Sequence, residues 1–267
     1  MKTSRITALM LRQFYLIRGS VTRVIPLFIW QAIDIVIWGF MTKFLNEFTH
    51  TNMNFVPMVL GTVLVWEFMV RVMHGTSMAF MEDSWSRNFL NLFASPMRVS
   101  EYLSGLVLTG ITTSMFGLVV MLILAMGVFG LSMLIYGVMI IPFILVIVLF
   151  SISLGIFGCA IMLRYGPSSE WFVWPIPAVI APFVGVFYPL STLPSWMQAV
   201  AHIFPPSYVF ENMRSIIAGN GISIQSLIIA AALALIYIML ACWCFVKIYN
   251  HALKTGLIAR YSAESVS

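Results

Sequence analysis

LSGLVLTGITTSMFGLVVMLILAMGVFGLSMLIYGVMIIPFILVIVLFSISLGIFGCAIML, residues 103–163, decides the fold class. It holds two apolar runs, 103–129 and 133–163, with almost nothing between them. At 1.5 Å per residue, each run is long enough to cross a hydrocarbon core of about 30 Å. Two helices joined by so short a connection form a tight hairpin within a bilayer. Strands of a membrane barrel would alternate polar and apolar residues with period two, and these runs do not.

Working outward, further apolar runs fall at 24–45, 55–80, 171–188 and 226–246. The expectation is an all-α polytopic membrane protein with six transmembrane helices, the 267 residues forming a single transmembrane domain. Composition agrees. Hydrophobic residues make up 61% of the chain and charged residues 9%, with a mean hydropathy of +1.00. A soluble domain carries roughly 25% charged residues, so there is too little charge here to coat a soluble surface. The net charge of +5 raises nucleic-acid binding as a question. The basic residues are not gathered on one segment, however, and no nucleic-acid partner is expected. Their placement gives topology instead. Lys2, Arg5, Arg12, Arg18, Arg23, Arg87, Arg98, Arg164, Lys247, Lys254 and Arg260 fall on one side of the spans, against Lys43 and Arg214 on the other. The positive-inside rule then puts both termini in the cytoplasm, and the plasma (inner) membrane is the expected location. The leader at 2–23 is basic and long, with no small-residue cleavage site after the first apolar run, so no cleavable signal peptide is expected. Cys159, Cys242 and Cys244 lie in apolar runs without CxxC spacing and read as packing residues.

Three segments outside the spans carry pattern. Ile6, Met10, Phe14 and Ile17 recur at helical spacing, with Arg5 and Arg12 roughly opposite, as in an amphipathic helix on the inner leaflet. In the loop after the second span, Asp83 or Ser84 can cap a short helix over 85–94 that Pro96 closes. Trp85, Phe89, Leu92 and Phe93 share one face of it, with Arg87 and Asn91 opposite. Such a helix docks on a partner groove or on the membrane surface. The stretch 188–219 is too apolar for a solvated loop and too interrupted by Pro189, Pro194, Pro205 and Pro206 for one span. It reads as an external re-entrant hairpin between spans five and six, with half-helices at 195–204 and 208–218. Trp196 and Tyr208 suit a membrane interface, and Glu211 and Arg214 are spaced to pair on one helix face.

Asp34, Glu67, Arg71 and His74 fall inside the first two spans. Unpaired charge is costly in lipid, so these groups should face the bundle interior and pair. An ion-pair lock between the two spans and a role in lining a substrate path are both open. No GxxxxGK[ST] P-loop, HExxH motif or GxSxG elbow occurs. The four His residues are scattered, and no catalytic, cofactor or metal site is expected. Gly127 with Gly130, and Gly155 with Gly158, allow close helix packing.

The two patterned segments resemble the type-2 ABC exporter permeases. In 188–219 the carrying residues are Pro189, Leu193, Pro194, Trp196, Pro205, Tyr208, Glu211, Arg214 and Gly219. In the loop NFLNLFASPMRVSEYL they are Leu92, Ser95 and Pro96. The family often has a Gly-Thr pair before this loop helix, where Ser84, Trp85 and Ser86 stand here. The resemblance implies a permease for an amphipathic or lipid-linked substrate of the drug or polysaccharide class. It also implies a second permease copy or homologue, and separate cytoplasmic ATPase subunits that bind ATP and Mg, docked on the loop as a coupling helix. A self-contained secondary transporter would need coupling charges and an internal repeat, and the sequence shows few of the first and none of the second. A non-transporting assembly protein would leave the loop helix and hairpin unexplained.

Overall fold

The computed structural model describes residues 2–19, 25–49, 55–86, 92, 95 and 97–256, and every regular element among them is helical. In chain order these are α1 (Thr3–Arg18), α2 (Pro26–Thr49) and a wide π turn, Val56–Leu60, that leads directly into α3 (Gly61–Trp85). Helix α4 (Val99–Phe129) follows, then a 3-10 turn, Met133–Met139, that opens α5 (Ile140–Tyr165). After these come α6 (Glu170–Val173), α7 (Ile176–Val184), α8 (Ser195–Ala201), α9 (Pro205–Ile217) and α10 (Ile224–Thr255).

Four stretches are long and apolar enough to cross a membrane: Val56–Trp85, Val99–Phe129, Met133–Tyr165 and Ile224–Thr255. Of the other two expected spans, α2 has 24 residues and carries Asp34, Lys43 and Glu47. The fifth is shorter than its apolar run. Glu170–Val184 rises only about 22 Å and is broken at Trp174 and Pro175. Prolines lack the N–H that a continuous helix needs, and Gly185, at φ 68°, then ends α7.

Helix α3 is the axis of the bundle. Its apolar stretch is 83% buried, against 17–28% for the other three, so α4, α5 and α10 turn most of their surface away from the bundle. Helices α4 and α5 flank α3, α10 packs on α5, and α2 lies against α4 and the π turn. In lipid there is no hydrophobic drive between helices, and close backbone approach supplies the packing instead. A Cβ on Gly75 would stand 3.0 Å from the Cα of Gly110, where α3 and α4 cross. On the other side, one on Gly155 would meet Thr76 at 2.9 Å and one on Gly158 would meet Ser77 at 2.8 Å. Gly127 and Gly130 do no such packing: neither has a neighbour within 4 Å, and Gly130 ends α4 at φ 69°.

The amphipathic helix expected at the N-terminus is present as α1. It docks across α4 with Leu9 over Gly105, Gln13 is buried against Ala79 of α3, and Phe14 on its apolar face stays 52% exposed. Helix α3 runs on through Trp85, so Asp83 and Ser84 are buried positions inside it rather than caps of a new helix. Partners account for this. Arg12 of α1 pairs with Asp83, and the Tyr102 hydroxyl donates to Asp83 Oδ2 at 2.8 Å. At the foot of α4, Glu101 accepts from Arg5 and from the Arg98 N–H, each at 3.0 Å, and from the Lys2 N–H at 2.8 Å. Between these two roots, Arg87, Phe89, Asn91, Phe93 and Pro96 of the expected coupling helix lie outside the described residues. Leu92 packs against the core and accepts a hydrogen bond from Ser95 Oγ.

Candidate functional site

Helix α3 puts Glu67, Arg71, His74, Met78, Glu82 and Trp85 at steps of three or four, which is one stripe down one face of a helix. All six line a single cavity of about 780 Å³. From Glu67 to Trp85 the stripe covers roughly 27 Å, most of a bilayer's apolar thickness. The opposite walls are Trp30 and Asp34 of α2, Gln13 and Ile17 of α1, Thr109, Thr113 and Ser114 of α4, and Trp174 after α6. Asp34, Glu67, Arg71 and His74, scattered over the first two spans in the sequence, are therefore brought to one place.

The charges act on one another. Asp34 and Arg71 both reach Glu67 electrostatically, as like and opposite charge. Arg71 is 6% exposed and turned against α4, where its guanidinium covers Gly117. A Cβ at 117 would meet Arg71 Nε at 2.3 Å. The His74 ring lies against Trp174, centroids 4.5 Å apart at 42°. His74 Nε2 is buried and has no hydrogen-bond partner among the described residues.

The hairpin residues form a separate cluster at the far end of α3 from Trp85. Pro189 precedes a 3-10 turn, and Pro194 starts α8 as expected. Pro205 and Pro206 occupy the first turn of α9 rather than ending α8, because a helix start tolerates the missing N–H groups. The end of α8 is capped from α9: Ser207 Oγ donates to the Ala201 carbonyl at 2.7 Å and Tyr208 to the His202 carbonyl at 2.9 Å. Glu211 and Arg214 pair at 2.9 Å. Arg214 also donates to the carbonyls of Gly185 and Val186 at the end of α7, and Glu211 accepts from the Leu190 N–H at 3.0 Å. Thr62 of α3 binds the same Val186 carbonyl at 2.7 Å, and Phe210 packs on Trp66 at 6.4 Å. The hairpin is thus fastened to α7 and α3 near the level of Glu67. Trp196 stays 62% exposed, edge-on to Phe183.

Residue types alone did not single out Trp30, Trp174, Gln13 or Gly117. The ion pairs of Arg5 and Arg12 were hidden because both residues counted only toward topology. One signal was there to read: Glu101 stands three residues after Arg98, at the N3 position from which a carboxylate reaches back, and it accepts from the Arg98 N–H.

An axial helix carrying a charged stripe, long apolar helices around it and a fastened hairpin at one end define a multi-pass helical membrane protein. The sequence profile of the ABC-2 type transporter family matches residues 5–218, and the chain belongs to that family as its transmembrane permease component. The matched segment contains α1 from Arg5 onward, every wall of the cavity and the hairpin through Ala218. A comparison with curated proteins finds no match.

Proposed function

We propose that this chain is the permease subunit of an ATP-driven exporter, moving an amphipathic or lipid-linked substrate of the drug or polysaccharide class. It works in the plasma (inner) membrane, as a pair with a second copy or a homologue. Six passes put both termini and the 85–94 loop in the cytoplasm, where ATPase subunits dock on Trp85, Arg87, Phe89, Leu92, Phe93 and Pro96. ATP and Mg are bound by those subunits. The observation that carries the reading is the family match over 5–218 in a chain whose sequence has no P-loop of its own.

The experiment is affinity purification of the tagged chain from gently solubilised membranes. An ATPase with a P-loop should co-purify in stoichiometric amount. Replacing Phe89 and Leu92 with Asp should release it while the chain stays in the membrane. A purified, folded chain that never carries a P-loop subunit, even after cross-linking in the membrane, refutes the reading.

A further inference from the structure

The cavity along α3 is built for one kind of charge. We propose that it binds a lipophilic organic cation, and that this is the substrate class; the transport part of the statement rests on the permease reading above. At about 780 Å³, the cavity falls within the range of roughly 300–1,000 Å³ typical for drug-sized ligands.

Its electrostatics select the ligand. Among the described residues that line the cavity, Asp34, Glu67 and Glu82 are acidic and Arg71 is the one Lys or Arg. That arginine, while lining the cavity, lies against Gly117, in a recess that only a residue without a side chain leaves open, so three carboxylates face one guanidinium. Asp34 makes no ion pair among the described residues. An uncompensated carboxylate inside a span is costly in lipid. A cationic ligand resident in the cavity would offset that cost, and an anionic one would add to it. Lipid-linked glycans carried on phosphate or pyrophosphate are therefore disfavoured, which separates the drug class from the polysaccharide class.

The walls fit the same ligand. Trp30, Trp85 and Trp174 come from three different elements, and each is about half exposed or more, at 65%, 49% and 47%. Indoles that line the same cavity as carboxylates attract cations through the ring quadrupole as well as through apolar contact. His74, backed by Trp174 and with its buried Nε2 unbonded among the described residues, adds a polar group to the same wall. The contrast lies between α1 and α4. A second groove of about 450 Å³, lined by Met10, Leu11, Phe14, Phe116 and threonines, contains no carboxylate and no tryptophan.

Two isosteric probes of opposite charge make the test: tetraphenylphosphonium and tetraphenylborate. Each is measured by equilibrium dialysis against the full chain in neutral-lipid nanodiscs, with empty nanodiscs subtracted for partition into lipid. The phosphonium should bind saturably and the borate should not. Glu67→Gln or Asp34→Asn should weaken phosphonium binding roughly tenfold, as loss of a desolvated charge contact does. Trp174→Leu should weaken it about threefold or more. Where Glu67→Gln does not yield folded protein, Asp34→Asn, on a less buried position, carries the same test. Equal binding of both probes overturns the proposal, as does wild-type affinity in the folded carboxylate variants or the absence of saturable phosphonium binding. If the site fails while a P-loop ATPase still co-purifies, only the cation class is lost. If cation selectivity holds and no ATPase is found, the permease reading fails instead.

Discussion

At position 117 even a methyl group would meet the Arg71 guanidinium at 2.3 Å, so the smallest residue in α4 governs where the charge of α3 can lie. Arg71 in turn opposes the repulsion between Asp34 and Glu67. Truncating it leaves the carboxylates to protonate or to destabilise the bundle. Arg71→Ala should lower the thermal midpoint by about 5–14 °C, taking about 2.5–3.5 kcal/mol for the uncovered charge at roughly 2–4 °C per kcal/mol. Adding Glu67→Gln should restore part of the loss. Gly117→Ala should cost stability in the wild-type background and little once Arg71 is gone. Strictly additive losses across these pairs would mean that the groups do not act on one another.

Helix α1 was legible as an amphipathic helix, because its 3.6-residue periodicity needs no partner to be seen. Its grip was not. Arg5 and Arg12 are bound by Glu101 and Asp83, 96 and 71 positions away across the first two spans, and no local pattern reports such a pairing. The same limit explains the misreading of Asp83 as a cap: a short polar residue before a loop suits an N-cap equally well until its buried partners are known. The fifth span is the converse case. Its apolar run extends to 188, but helix ends are set by the special backbone of Gly185 and by proline placement, which hydropathy does not weigh. Since α1 holds Asp83 at one root of the 85–94 loop and Glu101 at the other, it fixes the spacing of the loop's ends. Arg12→Ala should cost about 1.5–3 kcal/mol, as loss of a hydrogen bond to a buried charge does. It should also speed the reaction of a maleimide with a cysteine introduced at Ser86. Unchanged thiol kinetics in a destabilised variant would leave α1 as packing alone. Arg12→Asp combined with Asp83→Arg should recover part of the stability.

For the molecule as a whole, the helical membrane class was carried by the apolar runs and the four long helices agree with it. The cavity could not be read from runs at all. Its walls come from α1, α2, α3, α4 and the α6–α7 junction, and only the crossing of helices at Gly75 and Gly110 brings them into register. Passage number is a property of this scale and is tested here. In a background free of native cysteines, single cysteines at Asn52 and Asn220 should react with an impermeant thiol reagent from outside intact cells. Cysteines at Ser86 and Ser262 should react only after permeabilisation. Labelling of Asn52 and Ser86 from the same side would rule out six passes.

The bond from Arg214 to the end of α7 also bears on how the chain is made. Residues 170–184 give about 22 Å of helix, less than the roughly 20 residues a stable transmembrane helix uses. Two carbonyls just past the last residue of that helix, at Gly185 and Val186, accept from a guanidinium 29 and 28 positions later. Synthesis is vectorial and elements emerge N-terminal first, so this short segment reaches the membrane before its cap exists. It stays unfinished until α9 has left the ribosome. The late hairpin therefore acts as a keystone, set last, on which the settling of an earlier element depends.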